Sequence, residues 1–226
     1  MSKKLNGYKG RLNPDQIAAG MNAAVANARR LVTDADTLVN AGSFPSAASL
    51  AILAIEEAGK CAILRALSVA RSEQEVRAAW KEYRSHIKKN ISWILPQLVR
   101  EDARKIDDFG PLFDDSSDHP YVLDNLKQLS FYTDCLGNAH WSRPTDVVEE
   151  HLARMLVETA RMFAKGATHS EQEIELWIKH VGPVWKKDMA WMKQGLVNWY
   201  AAMQAAGLAK EGENHMEQFV RPFEDG

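Results

Sequence analysis

Two carboxylates and a lysine interrupt an apolar segment of the chain. In residues 50–64, LAILAIEEAGKCAIL, Glu56 and Glu57 are followed by Gly59 and Lys60. At about 100° per residue of a helix, Lys60 lies about 40° from Glu56 and about 60° from Glu57, so these three side chains share one stripe. Burying charged groups is costly unless they are paired. The stripe predicts either an ordinary solvent-facing pair or the edge of a cleft that carries out chemistry.

A second group of reactive side chains follows in the segment AWKEYRSHIKKNISW. Six basic or amide residues fall within ten positions there: Lys81, Arg84, His86, Lys88, Lys89 and Asn90. Histidine exchanges protons near neutral pH, and arginine and lysine bind phosphate. The segment therefore has the residue types that a phosphate-binding or proton-transfer site requires.

The spacing of the two segments predicts that they meet. Lys60 and His86 are each about a dozen residues from the turn at Arg71, so an antiparallel helical hairpin would bring His86 close to the stripe. His86, Lys89 and Asn90 share one helix face, whereas Arg84 points about 160° away from His86. Arg84 would join a common site only through a bent helix or from the other face.

These residues resemble the AbiV group of abortive-infection proteins, within the HEPN superfamily. The resemblance rests on an EExGK motif at 56–60, on W-K-x-Y-R-S-H-x-x-K at 80–89, and on the FYTD and W-x-x-P elements at 131–144. It implies a helical bundle, usually dimeric, that acts in defence against bacteriophage. The activity it implies is metal-independent cleavage of RNA.

One part of the pattern departs from the superfamily. Its nucleases typically have an arginine, a polar residue, three variable positions and then the histidine. Here Lys81 stands where the arginine is expected, and Arg84 lies only two positions before His86. The sequence therefore leaves open whether the protein is an endoribonuclease.

Metal-free RNA cleavage assigns a role to each of these groups. The ribose 2′-hydroxyl is the nucleophile, so the site needs a proton acceptor and a cation for the charge that develops on phosphorus. His86 is the predicted base or acid, with a glutamate to orient it and lysine or arginine to hold the phosphate. The predicted catalytic residues are His86, Arg84, Lys81, Glu57 and Lys60. The predicted substrate-binding residues are Glu56, Lys89 and Asn90, and neither a metal nor another cofactor is expected.

The elements that must position these residues are predicted to be helices. Asn13 followed by proline, capping boxes that begin at Ser72 and Ser170, and breaks at glycine and proline mark their ends. The predicted helices cover residues 14–41, 46–71, 72 to about 96, 121–129, 145–165, 170–181 and 184 to about 206. A small hairpin is predicted in SFYTDCLGNAHWSRP, a loop over 107–120, and a loosely attached tail from Gly207.

The predicted fold class is all-α: a HEPN-like helical bundle with a short β-hairpin and additional C-terminal helices. Residues 1–166 are assigned to the bundle, and residues 167–226 to a tryptophan-rich helical extension packed on the same domain. The tryptophans of the C-terminal third are interpreted as packing residues rather than as base-stacking residues.

Composition limits the partners. With 28 basic and 30 acidic residues the net charge is −2, so an anionic partner must be met by a local patch. No signal-peptide pattern or membrane-spanning run is found, which predicts a cytoplasmic protein without a membrane partner. The scattered histidines form no metal-binding motif, and phosphate-loop and serine-hydrolase motifs are absent from the sequence.

Two functions are compatible with these observations. The first is an antiphage abortive-infection ribonuclease, a homodimer that degrades RNA or halts translation on infection under the control of a phage protein that triggers or inhibits it. The second is a non-catalytic helical interaction protein that binds a phage or translation component. RNA is the predicted nucleic-acid partner, and DNA is not.

Overall fold

In the computed structural model of the chain, residues 6–112, 114, 116–166 and 168–220 are described. Within these residues the regular secondary structure is helical apart from one two-stranded hairpin, so the predicted all-α class is confirmed. The α-helices are α1 (Pro14–Asn40), α2 (Phe44–Ser68), α3 (Glu73–Arg84), α4 (His86–Lys89), α5 (Leu95–Arg100), α6 (His119–Phe131), α7 (Pro144–Val147), α8 (Glu150–Ala164), α9 (Glu171–His180), α10 (Met189–Ala205) and α11 (His215–Val220).

The centre of the bundle is the pair α1 and α2, on which α8 packs. Asn13 caps α1 by accepting a hydrogen bond from the backbone N–H of Gln16, as the Asn-Pro signal predicts. Gly42, at φ +73°, lies in the short connection that reverses the chain into α2. The buried face of α2 is rich in alanine, which lets neighbouring helices approach closely: Ala47, Ala48, Ala51 and Ala54.

The predicted continuous helix from residue 72 to about 96 is wrong. α3 ends at Arg84, and Ser85 has an extended backbone with φ −83° and ψ 129°. The Ser85 hydroxyl accepts a hydrogen bond from the backbone N–H of Lys88, so it caps the short helix α4. A 3₁₀ turn, Ile91–Ile94, then leads into α5. Because of this break, the side chains of α4 do not continue the helical periodicity of α3.

Two further elements differ in detail from expectation. The predicted hairpin forms from β1 (Asp134–Leu136) and β2 (His140–Ser142), which pair antiparallel. The helix predicted over 145–165 is divided into α7 and α8, because Val148 has an extended backbone with φ −114° and ψ 106°. Part of the predicted loop at 107–120 is a 3₁₀ helix, Ile106–Leu112.

The C-terminal helices surround a cluster of tryptophans. The rings of Trp177 and Trp199 lie edge to face with centroids 5.2 Å apart, and α9 contacts both α1 and α2. The expectation of a loosely attached tail is wrong for α11, because Val220 is buried and Phe219 packs against Phe109. Among the described residues, every helix is too short or too polar to cross a lipid bilayer.

Candidate active site

A buried carboxylate lies at the centre of the candidate site. Glu56 projects from α2 and is only 2% exposed. Lys127 Nζ donates to its Oε1 at 2.6 Å, and His86 Nδ1 lies 2.6 Å from its Oε2. Lys89 Nζ lies 3.5 Å from the same Oε2. Burying a charge is tolerated when it is paired in this way, so α2, α4 and α6 are held together at one point.

His86 connects this buried carboxylate to solvent. Its side chain is 54% exposed although Nδ1 faces Glu56. An ionised carboxylate only accepts hydrogen bonds, so Nδ1 is the donor in this contact, and in the neutral form of the imidazole Nε2 then has a free lone pair. Nε2 makes no hydrogen bond within the described part of the chain. The arrangement is that of an imidazole oriented by a carboxylate and open to a ligand.

Lys127 holds the opposite side of Glu56. Its side chain is 5% exposed, and its ammonium also donates to Asp124 Oδ1 at 2.7 Å. Burial alone would lower the pKa of Lys127, but the hydrogen bonds to Asp124 and Glu56 outweigh it and raise the pKa above its usual value. Lys127 is therefore a charged ammonium at neutral pH inside the bundle.

The same acidic and imidazole groups form the outline of a metal site. Glu56, His86 and Asp124 each offer one ligand atom, and these atoms lie within 4.8 Å of one another. The Lys127 ammonium bonds to both carboxylates and so supplies the positive charge that this group needs. The chemistry of the set thus fits a lysine as its resident cation.

Lys89 and Gly59 show how closely α4 approaches α2. Burial lowers the pKa of Lys89, and the neighbouring Glu56 charge opposes that shift. A Cβ atom added at Gly59 would lie 2.1 Å from the carbonyl oxygen of Lys89, so no other residue fits there without moving the backbone. The glycine of the EExGK motif is therefore required for contact between the two helices.

Glu57 and Lys60 form the outer edge of the site. Glu57 Oε1 and Lys60 Nζ are 2.5 Å apart, and their side chains are 20% and 17% exposed. The Lys60 ammonium also lies 5.2 Å from the centre of the Tyr83 ring. This pair is more accessible than Lys89 or Lys127 and borders the approach to Glu56.

The remaining predicted site residues, Arg84, Lys81 and Asn90, make no hydrogen bond or ion pair to Glu56 in the described part of the chain. The Arg84 guanidinium donates to the backbone carbonyls of Tyr8, at 2.5 Å, and Trp80, at 3.1 Å, and lies above the Trp80 ring. Lys81 is exposed on α3. Asn90 is completely buried, and both of its amide atoms lack a hydrogen-bond partner within the described residues. The structure thus brings together His86, Glu56 and Lys89, with the Glu57 and Lys60 pair beside them.

Sequence reasoning missed Asp124 and Lys127. The available signal was a pair of opposite charges three residues apart on α6, a spacing common on solvated helix faces. Because the two residues lie far from α2 in the chain, no local pattern showed that this pair faces inward.

A family comparison agrees with this architecture. The model of the AbiV family of HEPN proteins matches residues 16–165, which include α2 to α8, α1 from its third residue, and His86, Lys89 and Lys127, which contact Glu56. This chain belongs to the AbiV family. It is therefore a HEPN-domain protein of the abortive-infection type, as the resemblance implied. Searches of curated proteins and of solved structures found no match.

Proposed function

We propose that this AbiV protein is a metal-independent endoribonuclease that acts in the cytoplasm during phage infection. The observation that carries the proposal is the 2.6 Å contact between His86 Nδ1 and the buried Glu56 carboxylate. It fixes the imidazole in the tautomer whose Nε2 can accept a proton, on a side chain that is half exposed. A histidine held in this way is suited to act as a general base.

The proposed reaction uses the RNA's own hydroxyl group. His86 Nε2 takes the proton of a ribose 2′-hydroxyl, and the oxygen attacks the adjacent phosphorus. The bond from phosphorus to the 5′-oxygen breaks, and that oxygen takes up a proton. The products are a 2′,3′-cyclic phosphate and a 5′-hydroxyl end. The Glu56 carboxylate stabilises the imidazolium that forms, since the charges are in direct contact.

The other residues of the site support this reaction. Lys60 is the proposed phosphate-binding cation, because its side chain is more exposed than that of Lys89. It also lies on α2 one helical turn after Glu56, the residue that His86 contacts. The resident Lys127 ammonium supports independence from metal, because it already pairs with both carboxylates. We also propose a homodimer whose two-fold axis runs along this face, which would place two His86 side chains across one groove.

The decisive experiment is an RNA degradation assay in EDTA. Purified protein is incubated with total RNA, and the ends of the products are analysed. We expect cleavage that persists in EDTA and yields cyclic phosphates, with a loss of about 10²–10⁴-fold in His86→Ala. His151→Ala, at an exposed histidine of α8, is the matched control and should cleave normally. Cleavage by His86→Ala at the wild-type rate would refute the proposal.

The alternative, a non-catalytic interaction protein, is favoured by an exposed aromatic surface. Tyr132 and Trp141 are 63% and 67% exposed beside and on the β-hairpin, and Leu136 is 41% exposed. Large apolar groups in such a position are typical of protein contacts. If phage resistance is lost in Trp141→Ser and retained in His86→Ala, binding rather than RNA cleavage is the function.

A further inference from the structure

A cavity of about 410 Å³ lies directly beside the candidate active site. Lys89 lines this cavity and also contacts Glu56 Oε2, the oxygen that pairs with His86 Nδ1. Ile87, the residue that follows His86, forms part of its wall. Three of the four residues of α4 therefore line the cavity, and the remaining one, His86, shares the Glu56 carboxylate with Lys89.

The lining of the cavity is suited to a flat ring with polar edges. Its walls are mainly apolar side chains from α2, α4, the 3₁₀ turn that follows α4 and the start of α6: Ala62, Ile63, Ile87, Ile91 and Tyr121. The volume is within the range of natural small-molecule sites, which combine apolar walls with few polar groups. A nucleobase has this character, since its faces are apolar and its edge forms hydrogen bonds.

The polar groups of the cavity include two carboxylates, which accept hydrogen bonds. The carboxylates of Glu82 and Asp114 line it together with the hydroxyls of Ser92 and Ser117. The Glu82 carboxylate makes no hydrogen bond or ion pair to any residue that the structure describes. Among the four RNA bases, guanine alone offers two adjacent N–H donors, N1–H and the N2 amino group, to one carboxylate.

We infer that this cavity binds a guanine base of single-stranded RNA next to the bond that is cleaved. The inference rests on the proposed ribonuclease function for its biological meaning, but the binding itself does not require cleavage. Guanine stacks between the apolar walls, and its Watson–Crick edge donates to Glu82. Lys88 and Lys89 line the same cavity, so the lining has cationic as well as anionic side chains.

The test measures binding of the four nucleoside monophosphates by calorimetry. We expect saturable binding of GMP that is at least about tenfold tighter than binding of AMP, CMP or UMP, a difference of about 1.4 kcal/mol. Two variants alter the cavity without opening the core: Ala62→Trp fills it from an exposed position on α2, and Glu82→Gln removes the acceptor charge. Both should lose the preference for GMP.

The controls separate this inference from the ribonuclease proposal. Ala26→Trp adds the same side chain at an exposed position of α1 and should bind GMP normally. His86→Ala should also retain GMP binding, because the imidazole does not line the cavity. Circular dichroism verifies that each variant is folded. Equal binding of all four nucleotides, no binding, or unchanged GMP affinity in both Ala62→Trp and Glu82→Gln would overturn the inference, whatever the result of the RNA degradation assay.

Discussion

Lys127 and Glu56 form an ion pair inside the helical bundle, with 2.6 Å between Nζ and Oε1 and side chains that are 5% and 3% exposed. The pair joins α6 to α2 across a long separation in the chain. Because Glu56 also holds His86, the pair connects the stability of the bundle to the orientation of the imidazole.

Removal of the Lys127 ammonium should destabilise the protein strongly. Lys127→Ala leaves Glu56 without its closest cation in a buried position, so we expect a loss of about 3–5 kcal/mol in the free energy of unfolding. The matched control is Arg154→Ala, which breaks a pair with Glu150 whose side chains are 54% and 55% exposed. That change should cost less than about 1 kcal/mol. Urea denaturation measures both, and equal losses would contradict the buried pair's role.

The same change should create a metal site. Without the ammonium, Glu56, His86 and Asp124 keep three ligand atoms within 4.8 Å but lack their cation. We expect Zn²⁺ to raise the melting temperature of Lys127→Ala and to have no such effect on the wild type. The double variant Lys127→Ala/Asp124→Ala removes one ligand and should lose the response. A response of the same size in the double variant would show that zinc binds elsewhere.

Gly59→Ala should separate α4 from α2. The added Cβ would lie 2.1 Å from the Lys89 carbonyl oxygen, so one backbone must move. Overpacking of this kind costs about 1–3 kcal/mol, and the shift should also weaken the contact of His86 with Glu56. At Gly110 an added Cβ meets no atom within 4 Å, so Gly110→Ala is the control and should leave the unfolding free energy nearly unchanged. Chemical denaturation of the two variants side by side provides the comparison.

Glu173 should contribute to stability in a pH-dependent manner. Burial raises its pKa, but hydrogen bonds from His169 and Arg65 outweigh burial and lower the pKa below its usual value. A carboxylate whose pKa is lower in the folded than in the unfolded protein stabilises the fold fully at pH values above the unfolded pKa, which is about 4.3 for glutamate. This contribution is lost as the pH falls through the pKa of the folded protein. The stability difference between wild type and Glu173→Gln should therefore be constant above about pH 5 and shrink below about pH 4.

The control for this prediction is on the same helix. Glu175 is exposed on α9, so Glu175→Gln should follow the wild-type stability curve at every pH. Denaturation of the three proteins from neutral to acidic pH tests the assignment. A difference between wild type and Glu173→Gln that grows toward acidic pH would show that the sign is wrong.

Local signals predicted much of the fold. The caps at Asn13, Ser72 and Ser170 and the turn signals of the hairpin each report on a few neighbouring residues, and each lies where it was expected, although at Ser72 and Ser170 only the serine half of the predicted capping box forms. The continuous helix through Ser85 was wrong because a serine within a helical pattern can instead cap a new helix, and propensity alone does not separate the two cases.

The candidate site was predicted only in part, because local signals describe some of its contacts and not others. The similar distances of Lys60 and His86 from the turn at Arg71 predicted that His86 lies near the stripe that contains Glu56. This was possible because a helical hairpin joins two neighbouring segments of the chain. Lys127 enters from α6, whose position depends on packing of the whole bundle. Helix periodicity had already placed Arg84 away from His86, and the contact of its guanidinium with the Tyr8 carbonyl keeps it there although the helix breaks at Ser85.

Because the backbone is extended at Ser85, the packing of α3 and the packing of α4 are not tied to one continuous helix axis. The rotation of α4 about its own axis, and with it the aim of the imidazole, is set by contact with α2 and not by continuation of α3. Charged residues on the outer face of α3 can therefore be exchanged without changing the orientation of the His86 imidazole toward the Glu56 carboxylate.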